Sequence, residues 1–327
     1  MTDQPPVRVS VVMATHNRRR LLRRALDCLA AQRLAEPYEV VVVDDGSTDG
    51  TWEDLQEATG RTDLRLRALR QETATGPAAA RNRGWRAATG EVVAFTDDDC
   101  YPTPTWLAEL VGAVERHDIA QGLTEPDPER APGRGPFART MWVLEPDGFY
   151  ATCNIAYRRR VLEEVGGFDE GFHRPFGEDT DLAWRALEAG ATSVFVAGAV
   201  VHHEVWPSRY ADYVRDRARR EAIVRATRRH PGLRRYFFSP HWYQGAHPLA
   251  LAAGVGLAVA ASGPLRPRRL VTGAALVAGY VHHRVSVRPL PCRRRNLVPV
   301  VALAWAADIV EVGVLAAASA RYRTLLL

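Results

Sequence analysis

Two acidic turns, each following a continuous apolar run, constrain this chain of 327 residues more than any other feature. The first run, Tyr38–Val43, ends in DDGS, and the second, Val92–Phe95, ends in TDDD. Such runs are typical of parallel strands that are buried on both faces. Because neighbouring carboxylates repel one another, a folded chain gathers them at a strand end where they face a cation or a polar ligand. The residues concerned are Asp44, Asp45, Asp97, Asp98 and Asp99.

Strand-like and helix-like segments alternate along the first part of the chain. The short loops between them predict an α/β fold in which a mostly parallel sheet carries helices on both faces. In such sheets ligands bind outside the carboxyl ends of the strands, so both acidic turns lie on the ligand-binding edge. We expect Ser47 and Thr48 to cap a helix that begins near Thr51. The predicted strands are Val9–Ala14, Tyr38–Val43, Leu64–Leu69 and Val92–Phe95, and the predicted helices include Leu21–Gln32 and Pro77–Ala88.

The composition indicates a folded protein of a reducing compartment. Apolar residues make up 46% of the chain and charged residues 25%, which excludes global disorder. The cysteines are scattered and lack the paired spacing of a metal site. The opening residues MTDQPPVRVS contain no apolar segment of a secretory signal, so we expect the catalytic part to stay in the cytoplasm. The four cysteines are Cys28, Cys100, Cys153 and Cys292.

Positive charge accumulates in the later part of the chain. The net charge is +5, and Trp206–Phe238 alone contains ten arginines. We interpret this segment as one long basic helix with an anionic partner, either membrane lipid or phosphate. No helix-turn-helix or zinc pattern accompanies it, so nucleic acid is not expected as a partner. A solvated arginine-rich face is the alternative interpretation.

Three apolar segments follow the basic one: Gly245–Gly263, Leu270–Val281 and Leu297–Ala320. A helix that spans a membrane needs about 20 apolar residues, so the second segment is too short to cross alone. The third is long enough, but Asp308 and Glu311 near its middle would be costly in lipid unless they are shielded. We predict a C-terminal membrane module of one to three hydrophobic helices. An apolar helical subdomain docked on a soluble enzyme is the alternative.

Five stretches of the chain resemble the family 2 glycosyltransferases, which have the GT-A fold. They are ATHNRRRLLRRALDCLAAQ, VVVVDDGSTDGT, GPAAARNRGWRAATGEVVAFTDDDC, NIAYRRRVLEEVGGFDEGF and GEDTDLAWRALEAG, in the family's order over residues 7–205. The resemblance implies a Rossmann-like GT-A catalytic domain, which we place at residues 1–235, followed by a hydrophobic helical, membrane-associated region at residues 236–327. It also implies sugar transfer from a nucleotide diphosphate sugar to a hydroxyl, with inversion at the anomeric carbon.

Asp97, Asp98 and Asp99 match the D-x-D element of this family. The diphosphate leaving group gathers negative charge, which a divalent cation (Mg²⁺ or Mn²⁺) neutralises, and such hard cations prefer carboxylate oxygens. The resemblance implies that Asp99 binds the metal and that Asp97 and Asp98 lie beside the nucleotide. A solvated acidic turn that caps the helix near Thr105 is the alternative.

The resemblance also places nucleotide-binding residues on the neighbouring strands. Asp44 and Asp45 resemble the family's base-recognition pair, and Asp45 is the preferred contact for the ring N–H of a uracil or thymine. Thr15 and Asn17, which follow the first strand, border the same nucleotide. Arg81 lies near the nucleotide or its phosphates. The alternative for Asp44 and Asp45 is an Asx turn that supports DGSTDG.

Glu178 and Asp179 match the family's ED pair, in which the aspartate is the general base. A helix N-terminus stabilises a carboxylate and weakens it as a base, whereas the like charges of Glu178 and Asp181 raise its pKa. In AVVHHEVW a strand-like run ends where related enzymes place a further metal ligand. His203 is the preferred ligand and His202 the reserve. Helix capping by the acidic cluster, and structural roles for the histidines, are the alternatives.

The acceptor side is less defined by the sequence. We expect Trp142 and residues 152–172 to shape the acceptor site, and the resemblance implies that Asn154 and Arg158–Arg160 lie near it. A surface turn that leads into a helix around Val161–Val165 is the alternative. The apolar tail favours a lipid-linked or cell-envelope glycan at the cytoplasmic face of the cell membrane. Arginines beside the membrane would contact anionic lipid. The alternative functions are a sugar nucleotidyltransferase and a non-catalytic nucleotide-sugar-binding membrane protein. The first normally has a glycine-rich loop after the first strand, and ATHNRRR contains no glycine.

Overall fold

An eight-stranded sheet forms the centre of the N-terminal part of the chain. The computed structural model describes residues 7–61, 63–172, 176–263, 266–287 and 296–327. The strands are β1 (Val9–Thr15), β2 (Tyr38–Asp45), β3 (Leu66–Gln71), β4 (Val92–Thr96), β5 (Cys100–Pro102), β6 (Ile119–Pro126), β7 (Asn154–Arg158) and β8 (Ser193–His203). Across the sheet they lie in the order β3-β2-β1-β4-β7-β6-β8-β5.

Four of the seven strand pairings are parallel. β1 lies between β2 and β4 and is parallel to both, β3 is parallel to β2, and β8 is parallel to β6. β7 is antiparallel to β4 and to β6, and β5 is antiparallel to β8. The carboxyl ends of β1, β2 and β4 therefore meet at one edge, as predicted, and both acidic turns lie there.

Helices cover both faces of this sheet, as the sequence predicts. One apolar core contains Val11 and Met13 of β1 and the inward faces of the helices Arg19–Ala30 and Trp106–Val114. The other contains Val12 of β1 with residues of the helices Pro77–Ala87, Arg159–Val165 and Glu178–Glu188. Successive strand residues point to opposite faces, so β1 contributes to both cores. The helices are α1 (Arg19–Ala30), α2 (Thr51–Ala58), α3 (Pro77–Ala87), α4 (Trp106–Val114), α5 (Arg159–Val165) and α6 (Glu178–Glu188).

The predicted cap of α2 is wrong. The helix begins after Gly50, which has a φ of 89°, and the Asp49 carboxylate accepts a hydrogen bond from the Thr51 amide at 3.0 Å. The Ser47 hydroxyl instead accepts the amide of Asn17 at 2.9 Å. A capping side chain acts on amides two or three residues ahead, so Ser47 is too far from the first turn.

The chain divides into two compact units. The N-terminal unit contains residues up to Pro132 and Thr140–Val205, and the C-terminal unit contains Gly133–Arg139 and Trp206–Leu327. This division comes earlier than the domain boundary predicted at residue 235, which stays a prediction. The helices of the C-terminal unit are α7 (Tyr210–Ala218), α8 (Glu221–Arg229), α9 (Ala246–Ala261), α10 (Pro267–His282) and α11 (Leu297–Tyr322).

The basic segment is not one long helix. It is broken after Ala218, where the amides of Arg219 and Arg220 donate to carbonyls three residues back rather than four. This tighter turn separates α7 from α8, and Pro231 starts a further 3₁₀ turn beyond α8. Five of the ten arginines therefore lie in α7 and α8, and the others lie before, between or after these helices.

Among the described helices, α11 alone is long and apolar enough to cross a membrane, by length and composition. The core helix of a soluble protein passes the same test. The two carboxylates of α11, Asp308 and Glu311, are fully buried. Asp308 accepts hydrogen bonds from the Tyr280 hydroxyl at 2.7 Å and from Arg284 Nε at 3.1 Å. A carboxylate oxygen of Glu311 lies 3.1 Å from Arg217 Nε. The side chains that shield these two carboxylates thus belong to the C-terminal unit itself. Cys292 lies outside the described residues.

Candidate active site

The turn Asp97–Asp99 connects β4 to the short strand β5. Because β5 pairs antiparallel with β8, Cys100 lies opposite His203, the last residue of β8. Asp99 Oδ1 is 3.6 Å from His203 Nε2. The structure thus brings together the two residues predicted to bind a metal.

The donor atoms fit a divalent cation. His203 Nδ1 lies 2.8 Å from the Glu204 carbonyl, to which it donates, so Nε2 presents its lone pair towards Asp99. Cys100 Sγ is 3.8 Å from Asp99 Oδ1, and ligand atoms of the three side chains lie within 4.8 Å of one another. Carboxylate oxygens suit both Mg²⁺ and Mn²⁺, whereas an imidazole ligand is typical of transition-metal ions. The sequence does not predict Cys100, because only strand pairing places it beside His203.

His202, the reserve ligand, faces elsewhere. Its Nε2 lies 3.3 Å from Glu125 Oε1 on β6. Adjacent residues of a strand point to opposite faces, so His202 and His203 cannot both face Asp99. The structure therefore favours His203.

Asp98 is buried and faces the end of β1. The Thr15 hydroxyl donates to Asp98 Oδ2 at 2.7 Å, and Arg18 Nε lies 3.8 Å from Asp98 Oδ1. Burial, together with the charge of Asp99, raises the pKa of Asp98 to about 8 despite these two partners. Thr15 thus supports the D-x-D turn directly, a contact that the sequence does not reveal.

Arg81 connects the D-x-D turn to the ED pair. It lies on α3, is buried, and donates from Nη2 to Asp97 Oδ1 at 2.7 Å and from Nη1 to Glu178 Oε1 at 3.0 Å. Burial lowers the pKa of Arg81, but Asp97 and Glu178 outweigh this and raise it, so the guanidinium stays charged. The sequence predicts Arg81 near the nucleotide but does not predict its bond to Glu178.

Asp179 lies in the first turn of α6 and is partly exposed, whereas Glu178 is buried. Although Asp179 keeps part of its solvent contact, desolvation of its carboxyl, and then the charge of Glu178, raises its pKa to about 7. The Thr180 amide, which donates to Asp179 Oδ1 at 2.8 Å, opposes this shift, as does the charge of Arg81. A carboxyl that titrates near neutral pH is suited to accept a proton from a hydroxyl.

Asp181 does not supply the like charge expected of it. Its carboxylate accepts a hydrogen bond from Arg185 Nε at 2.8 Å, one turn further along α6. That pairing compensates the charge of Asp181. The raised pKa of Asp179 therefore originates in desolvation and in Glu178, and desolvation was not part of the prediction.

Asp45 is occupied by bonds within the chain. Its Oδ1 accepts hydrogen bonds from Gln71 Nε2 at 2.6 Å and the Thr75 amide at 2.8 Å, and its Oδ2 accepts the Gly76 amide at 2.9 Å. These bonds fix the loop before α3 against the end of β2. Sequence reasoning anticipated a structural turn at DDGS but not this loop.

The carboxylate of Asp44 accepts fewer hydrogen bonds than that of Asp45. Asp44 is fully buried and pairs in register with Thr15 of β1. Its Oδ2 accepts a hydrogen bond from the Ser47 amide at 3.3 Å, and Arg70 Nε lies 3.7 Å from the same oxygen. Its Oδ1 has no hydrogen-bond partner among the described residues. A buried carboxylate oxygen without a donor is energetically costly, so a ligand donor at this position would be stabilising.

Asn17 joins the first two turns of the edge. It has a φ of 53°, and its side-chain oxygen accepts the Thr48 amide at 2.8 Å. Asparagine tolerates this left-handed conformation better than most residues. Asn17 therefore lies beside the DDGS turn, and its place beside the nucleotide stays a prediction.

Arg158–Arg160 do not lie at this edge, and the prediction that they border the acceptor is wrong. β7 runs antiparallel to β4, so Arg158 lies opposite Val92 at the far end of the sheet. Asn154 lies at the correct end but is buried, and its side chain donates to the carbonyls of Leu123 and Ala199 at 2.7 and 2.9 Å. The sequence does not show the direction of β7, which decides both positions.

Two family models match the chain. The one described as Glycosyl transferase family 2 matches residues 10–166, and the one described as Glycosyl transferase family group 2 matches residues 92–281. Glycosyltransferase AglE of Haloferax volcanii is 31% identical, over 63% of this chain and 70% of the relative. Chondroitin synthase of Pasteurella multocida (strain Pm70) is 27% identical over 62% of this chain, but the match spans only 25% of that synthase.

Solved structures match almost the whole chain. The mannosyltransferase PcManGT from Pyrobaculum calidifontis, in complex with GDP-Man and Mn²⁺, is 25% identical with a TM-score of 0.67, covering 94% of this chain and 89% of its own. S. aureus TarS 1–349 in complex with UDP-GlcNAc is 19% identical with a TM-score of 0.52, covering 97% and 92%. The latter likeness concerns the fold alone.

Proposed function

Because this chain belongs to the family 2 glycosyltransferases and has the GT-A fold, we propose that it is an inverting, divalent-metal-assisted enzyme whose acceptor is a lipid-linked or cell-envelope glycan. The observation that carries this proposal is the continuous arrangement at one sheet edge. Arg81 links the turn that holds Asp99 to Glu178, the neighbour of Asp179. Membership of this glycosyltransferase family excludes the two alternative functions, a sugar nucleotidyltransferase and a non-catalytic nucleotide-sugar-binding membrane protein.

Asp99 and His203 would hold the cation, Mg²⁺ or Mn²⁺. The bound ion would neutralise charge on the departing nucleotide diphosphate. The solved mannosyltransferase, which holds GDP-Man and Mn²⁺, supports a divalent cation. Asp97 and Asp98 lie on the same turn and face Arg81 and Thr15, so they fix the shape of the metal-binding turn beside the nucleotide.

Asp179 would act as the general base. In the unprotonated state it takes the proton of the acceptor hydroxyl, and the oxygen attacks the anomeric carbon from the side opposite the leaving diphosphate, which inverts the configuration. Glu178 is buried and bonded to Arg81, so it positions and tunes Asp179 rather than meeting the substrate. The pKa of Asp179, about 7, suits this role at neutral pH.

The nucleotide would occupy the edge formed by β1, β2 and β4. Thr15 and Asn17 border it, and the free Oδ1 of Asp44 accepts a donor from the base. Asp45 contributes by fixing the loop at Thr75 and Gly76, which makes Asp44 the stronger contact, in contrast to the preference inferred from the sequence.

The C-terminal unit would associate with the cytoplasmic face of the cell membrane. Val255, Val271 and Val298 are exposed on α9, α10 and α11, and such apolar faces are stabilised by lipid. The exposed arginines of Trp206–Phe238, among them Arg209 and Arg215, would contact anionic headgroups. Stronger flotation of the full-length protein with phosphatidylglycerol vesicles than with phosphatidylcholine vesicles is the expected result. Equal flotation with both would remove the anionic preference.

Calorimetry with UDP, dTDP and GDP, with and without Mn²⁺, tests the donor site. We expect metal-dependent binding of one of them by detergent-purified protein, and loss of that binding in Asp99→Ala. Asp63→Ala is the matched control, because Asp63 is an exposed carboxylate whose ion-pair partner among the described residues is Arg61. Absence of binding by folded wild-type protein would contradict the proposal.

A further inference from the structure

The segment Thr140–Phe149, here called the crossing segment, begins beside the metal-binding pair. The Thr140 hydroxyl donates to the carbonyl of His203 at 3.4 Å. Three residues later, Val143 exchanges two backbone hydrogen bonds with Thr124 of β6, at 2.8 and 2.9 Å. The first part of the segment is therefore fixed to the carboxyl ends of β8 and β6.

The other end of the crossing segment is fixed to the helix that carries Asp179. Trp184 Nε1 of α6 donates to the Gly148 carbonyl at 2.9 Å, and the Thr180 hydroxyl donates to the Phe149 carbonyl at 2.9 Å. Thr180 directly follows Asp179 in α6. The crossing segment thus extends from the metal ligand to the helix that carries the candidate base.

The side chains of the crossing segment are arranged unusually for a surface loop. Val143 is buried, whereas its neighbours Met141, Trp142 and Leu144 are 38%, 48% and 52% exposed. In the described part of the N-terminal unit, these three are the exposed large apolar side chains. Apolar groups collected at one place on an otherwise polar surface indicate a binding surface.

We propose that Trp142 is the platform on which the acceptor's sugar ring stacks, with Met141 and Leu144 beside it. The inference rests on the proposed function, since it concerns the acceptor of the same reaction. A pyranose has an apolar face of C–H groups and a polar edge, and an indole face attracts such weakly positive hydrogens. Stacking on Trp142 leaves the ring hydroxyls free at the edge, where one of them meets Asp179.

Fluorine NMR of the full-length protein labelled with 5-fluorotryptophan tests this contact directly. The chain has eight tryptophans, and the Trp142 resonance is identified by its absence from Trp142→Phe. The probes are methyl and octyl pyranosides of gluco, galacto, manno and N-acetylglucosamine configuration. Each is titrated with Mg²⁺, which is diamagnetic and does not broaden the resonance, and the nucleoside diphosphate that calorimetry identifies. We expect at least one methyl pyranoside to shift the Trp142 resonance.

Transfer kinetics with that pyranoside provide a second readout. Trp142→Ala is expected to raise the acceptor KM by about tenfold, the usual loss for a contact aromatic. Trp142→Phe is expected to restore most of it, and donor affinity is unchanged in both variants. A general folding defect would instead weaken donor binding as well.

The failures of the two proposals are distinguishable. If wild-type protein binds no nucleotide, the proposed function is wrong. If it binds nucleotide but no methyl pyranoside shifts the Trp142 resonance, the platform inference alone is wrong. A shift by octyl pyranosides only would show that the segment contacts an apolar chain instead of a sugar ring, which also overturns the inference.

Discussion

Asp99 Oδ1 lies 3.6 Å from His203 Nε2, although one residue follows β4 and the other ends β8. Only the pairing of β5 with β8 brings them together. Two ligands supplied by different strands form a site whose geometry depends on the folded sheet. Loss of either ligand should therefore weaken metal binding without unfolding the protein.

We expect His203→Ala to weaken Mn²⁺ binding by at least about tenfold. The measurement is the free Mn²⁺ signal in electron paramagnetic resonance during titration of the protein. His202→Ala is the matched control, since His202 faces Glu125, and it should bind Mn²⁺ like the wild type. Equal weakening in both variants would contradict the assignment of His203.

The pH dependence of transfer should report Asp179. Its pKa is raised to about 7, so the carboxyl is increasingly protonated below that pH and cannot accept a proton. The logarithm of kcat/KM should rise with unit slope up to about pH 7 and then level off. A profile that is flat from pH 5 to 8 would exclude Asp179 as the base, since no other assigned residue replaces it in this role.

Removal of Arg81 should affect both stability and this profile. Arg81→Met leaves the buried Glu178 without its cation, and we expect a loss of about 3 kcal/mol in the free energy of unfolding, measured with urea. Because Arg81 lowers the pKa of Asp179, the acidic limb of the profile should move above pH 7. In Arg81→Lys, which keeps the charge, the limb should move less. An unshifted limb in Arg81→Met would show that the two groups are not coupled.

Asp44 and Asp45 should differ when each is changed to asparagine. Asp45 holds three donors of the loop before α3, so Asp45→Asn should lower the free energy of unfolding by about 1–3 kcal/mol. Asp44 has an oxygen without a partner among the described residues, so Asp44→Asn should mainly weaken nucleotide binding. Urea unfolding and calorimetry on both variants separate the two effects. If Asp45→Asn mainly weakens nucleotide binding and Asp44→Asn mainly lowers the free energy of unfolding, Asp45 is the residue that contacts the base.

The sequence predicts the strands that end in acidic turns because continuous apolar runs and adjacent carboxylates are local patterns. It also predicts Asp99 and His203, since both belong to short motifs. It does not predict that Arg158 lies at the far end of the sheet, because the direction of β7 depends on its partners β4 and β6. The sequence does not predict that Cys100 lies beside His203 or that Thr15 bonds to Asp98 for the same reason, since only strand pairing creates these contacts.

The pKa of Asp179 shows a second limit. Its neighbours in sequence suggest repulsion from Glu178 and Asp181, but Asp181 is paired with Arg185 and desolvation is the larger effect. Burial of a side chain depends on the packing of α6 against the sheet. Sequence spacing alone therefore gives the direction of the shift but not its main cause.

The anomeric configuration of the product tests the central claim most directly. NMR of the glycoside formed from an α-linked nucleotide diphosphate sugar distinguishes the two anomers by the one-bond carbon–hydrogen coupling at the anomeric carbon. A single displacement with Asp179 as the base predicts a β-linked product from the wild type, and a loss of rate of about 10²–10⁴-fold in Asp179→Asn. Glu188→Gln, on the same helix, should keep the wild-type rate. An α-linked product, or an unchanged rate in Asp179→Asn, would contradict the account.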